Sequence, residues 1–89
     1  MSENYPNPFN PTTTLRFTVA NKAQRVILII YDILGRVVRV LADEILSAGE
    51  HRVQWDGKNQ KGIQVANGTY VYKLKAENFV DARKMILLK

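Results

Sequence analysis

The amino-acid sequence predicts an all-β protein, an immunoglobulin-like antiparallel β-sandwich of about seven short strands. Apolar residues recur at every second position in short runs, which is the period of a half-buried strand and not of a helix. Glycine and proline stand between these runs, and the turns that they indicate follow one another roughly every 8 to 12 residues. Together these observations favour two packed sheets of short strands.

Two strands are predicted in the first third of the chain. Leu15, Phe17 and Val19 alternate with polar residues, so the first strand has one apolar face and one solvent-exposed face. The run from Arg25 to Tyr31 is almost entirely apolar and rich in β-branched residues. This pattern is typical of a strand that is covered on both faces, or covered on one and partly shielded on the other. We therefore expect the second strand in the middle of a sheet.

A hairpin loop is predicted at Asp32 to Arg36. Asp32 can accept hydrogen bonds from its own backbone, and Gly35 can adopt the positive φ that a type I turn with a bulge requires. A third strand, Val37 to Leu41, would then return antiparallel to the second. The segment from Val40 to Leu46 is the one stretch that could form a helix instead, although it is short for a stable one.

A fourth strand is predicted at Glu50 to Trp55. Trp55 is the only tryptophan and is expected in the core or at its edge. The loop that follows contains Asp56 and Gly57, to which we assign structural roles. Asp56 is expected to accept hydrogen bonds from the backbone amides of its own turn.

The fifth predicted strand, opened by Gly68, has the clearest signature. Tyr70 and Tyr72 begin an alternation of apolar and polar residues that continues to residue 76, as expected of a strand with one buried face. A turn near Asn78 then leads to a last predicted strand from Arg83 to Lys89.

The composition predicts one globular domain with neither a nucleic-acid partner nor membrane insertion. The chain has 89 residues, of which 46% are hydrophobic, and no cysteine. A formal charge of +5 could suit an acidic partner, but the basic residues are scattered and form no run typical of a nucleic-acid-binding segment. No stretch contains the ~20 consecutive apolar residues that a membrane helix needs, and the N-terminus has no signal-peptide pattern.

The sequence offers little for catalysis, so we expect that the protein is not an enzyme. His51 is the only histidine and lies in a strand pattern, where a structural, partly buried role is expected. The two serines, Ser2 and Ser47, lie in the N-terminal segment and in a turn, so no serine triad is indicated. We expect no cofactor.

The sequence contains candidate residues for two kinds of binding site, a calcium loop and an aromatic platform for sugars. Asp56, Lys58 and Gln60 have the spacing of oxygen ligands in a calcium loop, but the lysine ammonium group would repel the cation, and we expect no metal. Aromatic side chains could also form a platform on which a sugar stacks, as in carbohydrate-binding modules, although core packing accounts for them as well. These aromatic candidates are Trp55, Tyr70 and Tyr72.

Four segments, taken in order, resemble one protein family. They are NYPNPFNPTTTLRFTV (4–19), IYDILGRVVRVL (30–41), AGEHRVQWDGKNQKGIQVANGTYVYKL (48–74) and KMILLK (84–89). Together they look like the C-terminal sorting domain, or Por secretion tail, of proteins exported by the type IX secretion system. The part from Trp-Asp-Gly to Gly-Thr-Tyr also resembles the immunoglobulin-like domain of flagellar hook-capping proteins, a relative in fold.

The resemblance implies a sorting signal at the C-terminus of a larger cargo protein. It implies that the cargo passes through the periplasm and that the type IX secretion machinery reads this domain. A surface sortase would then cut before the domain and attach the cargo to the cell surface, unless the cargo is released. The implied partners are therefore the machinery, its sortase and a covalently joined N-terminal cargo domain. An accessory carbohydrate-binding or structural immunoglobulin-like module of an extracellular enzyme remains an alternative.

The recognition residues that the resemblance marks lie in the last two predicted strands. They are Gly68, Tyr70, Lys84, Met85, Ile86, Leu87, Leu88 and Lys89. An edge strand offers unpaired backbone groups to which a receptor can add a strand. We expect Met85 and Leu87 to point one way, and Ile86 and Leu88 the other, so that one face holds the sandwich and one meets the partner.

The proline-rich segment NYPNPFNPTT is expected to belong to the fold. Residues that precede proline are biased towards extended conformations, so the segment should be stiff. We expect Tyr5 or Phe9, or both, to pack on the sandwich. Residues 1–4 would be an expression start or a residual linker, and residues 5–89 a single immunoglobulin-like sorting domain. The segment AENFVDARKM (76–85) is more charged than the family's usual hairpin, so the last turn is expected to differ.

Overall fold

The computed structural model describes residues 1, 3–8, 12–77 and 79–88. Within these ranges the chain forms six β-strands and no helix. The strands are β1 (Thr13–Val19), β2 (Gln24–Asp32), β3 (Val37–Leu46), β4 (Gly49–Trp55), β5 (Gly68–Ala76) and β6 (Phe79–Leu87). The predicted all-β class is confirmed, with six strands in these ranges where about seven were expected. The described residues contain no helix that could cross a membrane.

The strands form two antiparallel sheets that face each other. β1 pairs with β4, and the larger sheet has the order β3-β2-β5-β6. The chain therefore passes from one sheet to the other after β1, after β3 and after β4. β2 is an inner strand of the larger sheet, as its nearly unbroken apolar run predicts.

The core lies between the two sheets. Because side chains alternate between the faces of a strand, each strand contributes every second residue to the inner layer. The buried apolar residues are Leu15, Phe17, Val19, Val26, Leu28, Ile30, Trp55, Tyr70, Tyr72, Leu74, Met85 and Leu87. The removal of these side chains from water is the main contribution that stabilises the sandwich.

β3 is longer than the sequence predicted. The strand was expected to end at Leu41, with a possible helix to Leu46, but β3 continues to Leu46, which pairs with Gln24. Two register irregularities in the ladder with β2 accompany this length. The helical alternative is wrong because a short segment gains more from a backbone ladder and from apolar contacts with the core than from an isolated helical turn.

β6 is shifted towards the N-terminus relative to the predicted last strand. It begins at Phe79 and ends at Leu87, whereas residues 83–89 were expected. Its ladder with β5 runs from Phe79 opposite Ala76 to Leu87 opposite Gly68. The charged segment before residue 85 is thus mostly strand. Asn78, near which the turn was expected, and Lys89 lie outside the described residues.

A loop residue covers part of the free edge of β3. The Gln60 backbone N–H donates a hydrogen bond to the carbonyl oxygen of Val38 at 3.0 Å, and the Val40 N–H donates to Gln60 Oε1 at 2.9 Å. One glutamine therefore satisfies an acceptor and a donor that an edge strand would otherwise leave open.

The loop between β2 and β3 is organised by one carboxylate. Asp32 Oδ1 accepts hydrogen bonds from the N–H groups of Leu34 (2.9 Å) and Arg36 (3.0 Å), and Arg36 Nε donates to Asp32 Oδ2 at 2.7 Å. Gly35 has a φ of +81°, which favours glycine. The hydrogen bond from the Arg36 amide contributes most to holding the pKa of Asp32 below its ordinary value.

Asp32→Asn should destabilise the fold at neutral pH and progressively less as the pH falls below about 4. A carboxylate whose pKa is lower in the folded than in the unfolded state stabilises the fold above its unfolded pKa. That stabilisation is lost as the pH falls through the folded-state pKa. Urea unfolding of both proteins from pH 7 to pH 2 would measure the difference. An equal difference at every pH would contradict this role for the charge.

Candidate recognition site

Tyr70 lies where the segments that carry the family resemblance meet. It pairs with Asp32 of β2 on one side and with Met85 of β6 on the other. Its ring packs edge-on against Trp55, with 5.4 Å between ring centroids and 69° between the planes. Three motif segments, from three strands on both sheets, therefore surround one tyrosine.

The hydroxyl of Tyr70 fixes the entry into β5. It donates a hydrogen bond to the carbonyl oxygen of Ala66 at 2.6 Å, four residues upstream, in the manner of the tyrosine corner of immunoglobulin-like sandwiches. Burial raises the pKa of the Tyr70 phenol, and the nearby Asp32 carboxylate adds to the shift. Gly68, which begins β5, has a φ of +147°, and this conformation favours glycine over residues with a side chain.

The last strand, β6, is an edge of the larger sheet. Met85 and Leu87 are fully buried, whereas Ile86 and Leu88 are 41% and 50% exposed. These four side chains thus point as the alternation predicted. Lys84 is exposed. Lys89, also marked for recognition, lies outside the described residues.

The proline-rich segment NYPNPFNPTT (4–13), called the lead-in below, contacts the sandwich through Asn4. Asn4 was not among the residues expected to do so. Asn4 is 3% exposed. Its backbone N–H donates to the hydroxyl oxygen of Tyr72 at 2.9 Å, and its Nδ2 donates to Thr13 Oγ1 at 3.0 Å and to the Pro6 carbonyl at 3.1 Å. Asn4 Oδ1 is buried without a hydrogen-bond partner among the described residues. Because asparagine is polar, its residue type does not predict burial. Only its position directly before Tyr-Pro could have indicated that Asn4 belongs to the fold.

Tyr5 docks through its backbone and not through its ring. The N–H and C=O of Tyr5 bond the C=O and N–H of Thr14, each at 2.9 Å, in an isolated antiparallel bridge beside β1. The Tyr5 side chain is 74% exposed, so of the two rings of which one or both were expected to pack on the sandwich, that of Tyr5 does not. Phe9, the other expected anchor, lies outside the described residues. Asn4, which was expected to lie in the segment before the domain, is packed against it.

The lead-in reaches the last strand through Asn7. Ile86 of β6 donates its backbone N–H to Asn7 Oδ1 at 3.0 Å. This N–H therefore points away from β5, towards the free edge of the sheet. Because backbone groups alternate in direction along an antiparallel strand, the N–H groups of Lys84 and Ala82 point to the same edge.

The Trp-Asp-Gly segment forms a closed turn at the same end of the sandwich. Trp55 is fully buried and donates from Nε1 to the Lys58 carbonyl at 2.9 Å. Asp56 Oδ1 accepts from the Lys58 N–H at 3.1 Å and from Arg39 Nη1 at 3.3 Å. Gly57 has a φ of +76°, and its carbonyl accepts from the Val65 N–H at 2.9 Å.

The three aromatic candidates for a sugar platform lie in the core, where the alternation places them. Trp55 and Tyr72 are fully buried and Tyr70 is 7% exposed, so none of the three rings presents a face on which a sugar could stack. His51 is half-buried; it stacks on Phe17 with 5.7 Å between ring centroids. No group of three or more metal-binding side chains occurs in the ranges described above.

A cavity of about 460 Å³ opens between the sheets at the opposite end of the sandwich. Its lining is mostly apolar and includes Phe17, Val26, Leu74 and Phe79. At its rim, Lys22 Nζ lies 3.8 Å from Glu77 Oε1. The cavity is remote from the motif residues around Tyr70.

Residues 7–79 match the family model of the FlgD Ig-like domain. The chain belongs to this family. It is 40% identical over 67 residues to the basal-body rod modification protein FlgD of Salmonella typhimurium, and equally to that of Salmonella typhi. The match covers 75% of this chain and 29% of each relative, so the FlgD Ig-like domain described here spans less than a third of the curated relatives' length.

Solved structures resemble this FlgD Ig-like domain in fold. A dimeric latent PorU from Porphyromonas gingivalis has a TM-score of 0.79 at 24% identity, over 97% of this chain and 9% of PorU. FlgD from P. aeruginosa has a TM-score of 0.64 at 22% identity, over 84% and 58% of the two chains. PorZ, described as an essential surface component of the type-IX secretion system of P. gingivalis, has a TM-score of 0.63 at 18% identity, over 98% and 11%. At these identities the likeness concerns the fold alone.

Asn4→Ala should lower the free energy of unfolding of the FlgD Ig-like domain by about 1–2 kcal/mol, because buried hydrogen bonds to Thr13 and Pro6 are lost. Tyr5→Ala is the matched control. It removes a larger but exposed side chain and should cost less than about 0.5 kcal/mol. Urea unfolding followed by circular dichroism would compare the two. A larger effect of the Tyr5 change would mean that the ring, and not Asn4, anchors the lead-in.

Proposed function

We propose that this domain is a C-terminal sorting domain. It directs a larger cargo protein across the outer membrane through the type IX secretion system, and then to attachment at the cell surface or release. The domain itself is not an enzyme but the substrate of a surface sortase. Its partners are the secretion machinery, the sortase and the cargo domain joined to its N-terminus, and it passes through the periplasm in transit.

The observation that carries the proposal is the convergence of the motifs that resemble sorting domains. Asp32, Trp55 and Met85 belong to three of these segments, and each is paired with or packed against Tyr70. The remaining segment (4–19), which contains the proline-rich lead-in, contacts Ile86 through Asn7. Residues that are far apart in the sequence thus form one continuous cluster, which is buried around Tyr70 and reaches the surface at Ile86. Such a cluster is expected if the folded domain, and not a linear segment, is read as the signal.

The position of β6 supports the same proposal. As an edge strand it can accept an added strand from a receptor, and the backbone groups of Ala82 and Lys84 point to the open side. Ile86 and Leu88 supply exposed apolar side chains that a receptor could select. The fold likeness to PorZ, an essential surface component of the type-IX secretion system of P. gingivalis, is compatible with this role.

A second candidate is a structural immunoglobulin-like module of the kind present in FlgD. Membership of the FlgD Ig-like domain family and 40% identity to FlgD of Salmonella typhimurium favour it. Such a module would hold neighbouring domains in position and would carry no export signal. The sugar-binding alternative has no support from the buried aromatic residues.

Export of a fusion protein tests the sorting proposal. A periplasmic reporter joined to this domain should reach the cell surface in a host with the type IX system, and deletion of residues 84–89 should abolish export. Because the deletion also removes the buried Met85 and Leu87, Ile86→Asp is the sharper variant. It places a charge on the free edge of β6 and should reduce surface display at least tenfold.

Ile63→Asp is the matched control, since Ile63 is 60% exposed in the loop between β4 and β5. This variant should be displayed normally. Thermal unfolding of each purified domain would verify that the variants fold. Undiminished display of both the deletion and the Ile86→Asp fusion would refute the sorting role and favour the structural module.

A further inference from the structure

The larger sheet has a second face that no described element covers. This outer face consists of the side chains of β2, β3, β5 and β6 that point away from β1 and β4. Val80 is 58% and Val37 57% exposed on it, and half-buried side chains lie between them. The apolar side chains of this face include those of Ile27, Ile29, Tyr31, Val71, Val80 and Ile86.

Three lysines stand among these apolar side chains. Lys73 and Lys75 alternate with the buried Tyr72 and Leu74 along β5, so both ammonium groups rise from the outer face. Lys84 of β6 pairs with Val71 and is therefore the diagonal neighbour of Lys73. Neighbours of this kind lie about 7–8 Å apart, so the three like charges repel one another.

The carboxylates near this face are already engaged. Asp43 accepts from Arg25 Nε at 2.9 Å, Asp81 lies 3.3 Å from Arg83 Nε, and Glu77 pairs with Lys22. In the described part of the chain, no carboxylate lies within ion-pair distance of Lys73, Lys75 or Lys84. The outer face therefore has an unbalanced positive charge between apolar columns.

We propose that the outer face is a docking surface for an acidic protein face, in which carboxylates about 7 Å apart are flanked by apolar side chains. The carboxylates would pair with the three lysines, and the apolar groups would cover β2 and the β6 side of the sheet. The proposal holds whether the domain is a sorting signal or a structural module.

Charge placement distinguishes this occupant from others. A second copy of the chain would bring no free carboxylate of the outer face to the lysines, which would then be buried unpaired at high cost. In a surface that enters a membrane, the apolar residues occupy the centre and the cations the rim. Here Lys73 and Lys75 lie in an inner column, between β2 and β6. Nucleic acid would leave the exposed apolar residues without contacts.

A designed peptide provides the test. Two repeats of Thr-Glu-Thr-Glu-Thr-Ile place paired glutamates about 7 Å apart on one face of an extended strand, with isoleucine beside each pair. Two repeats of Thr-Lys-Thr-Lys-Thr-Ile form the charge-reversed control. Titration of the isotope-labelled domain by NMR should shift amides of β2, β5 and β6 with the glutamate peptide only. The triple variant Lys73→Gln, Lys75→Gln, Lys84→Gln should weaken binding about tenfold or more, and high salt should weaken it as well.

Triple replacement of Arg16, Lys58 and Lys61 by glutamine is the matched control, because it removes the same charge from exposed positions elsewhere. This variant should bind normally, and unfolding curves would show that both variants fold. Absence of binding at millimolar peptide, or equal binding by the two triple variants, would overturn the proposal. So would preferential binding to vesicles that contain phosphatidylglycerol. Self-association that the triple change at 73, 75 and 84 abolishes would also overturn it, because it would identify a second copy as the occupant.

Discussion

The packing of Trp55 against Tyr70 is the contact on which the rest of the domain depends. β4 belongs to the small sheet and β5 to the large one, so this pair joins the two layers. Trp55 can lie fully buried because its Nε1 proton is satisfied within its own turn, and Tyr70 because its hydroxyl bonds back to Ala66. Large aromatic rings supply much apolar area, but only where their polar atoms find partners. The two turns that provide these partners are therefore as necessary as the rings.

The lead-in extends this arrangement to the surface. Asn4 reaches Tyr72, Tyr5 extends the edge of β1 by one bridge, and Asn7 contacts β6. Backbone and amide groups make these contacts, and the exposed ring of Tyr5 does not. The segment before β1 thus joins the first and last strands of the domain, and its attachment depends on hydrogen bonds that water competes for.

The sequence predicted the all-β class, the inner position of β2 and the hairpin between β2 and β3, because a period of two and the turn residues are local signals. Asp32 and Gly35 have the turn roles expected of them for the same reason. The full length of β3, the burial of Asn4 and the grouping of Lys73 with Lys84 were not predictable in this way. Each depends on which strands become neighbours, and the pattern within one strand does not encode that choice. Lys73 and Lys84 are distant in the sequence and become neighbours on one face only when β5 pairs with β6.

A side-chain amide occupies one backbone N–H at each edge of the large sheet, Gln60 at β3 and Asn7 at β6. A net contribution of only about 1 kcal/mol is typical of a single hydrogen bond, whereas an incoming strand can form several at once. The two amide hydrogen bonds therefore compete with weak edge-to-edge pairing between identical molecules. A ligand that adds a whole strand can displace them, because it forms several backbone hydrogen bonds at once. Solubility and accessibility of the edge are in this way compatible in one small domain.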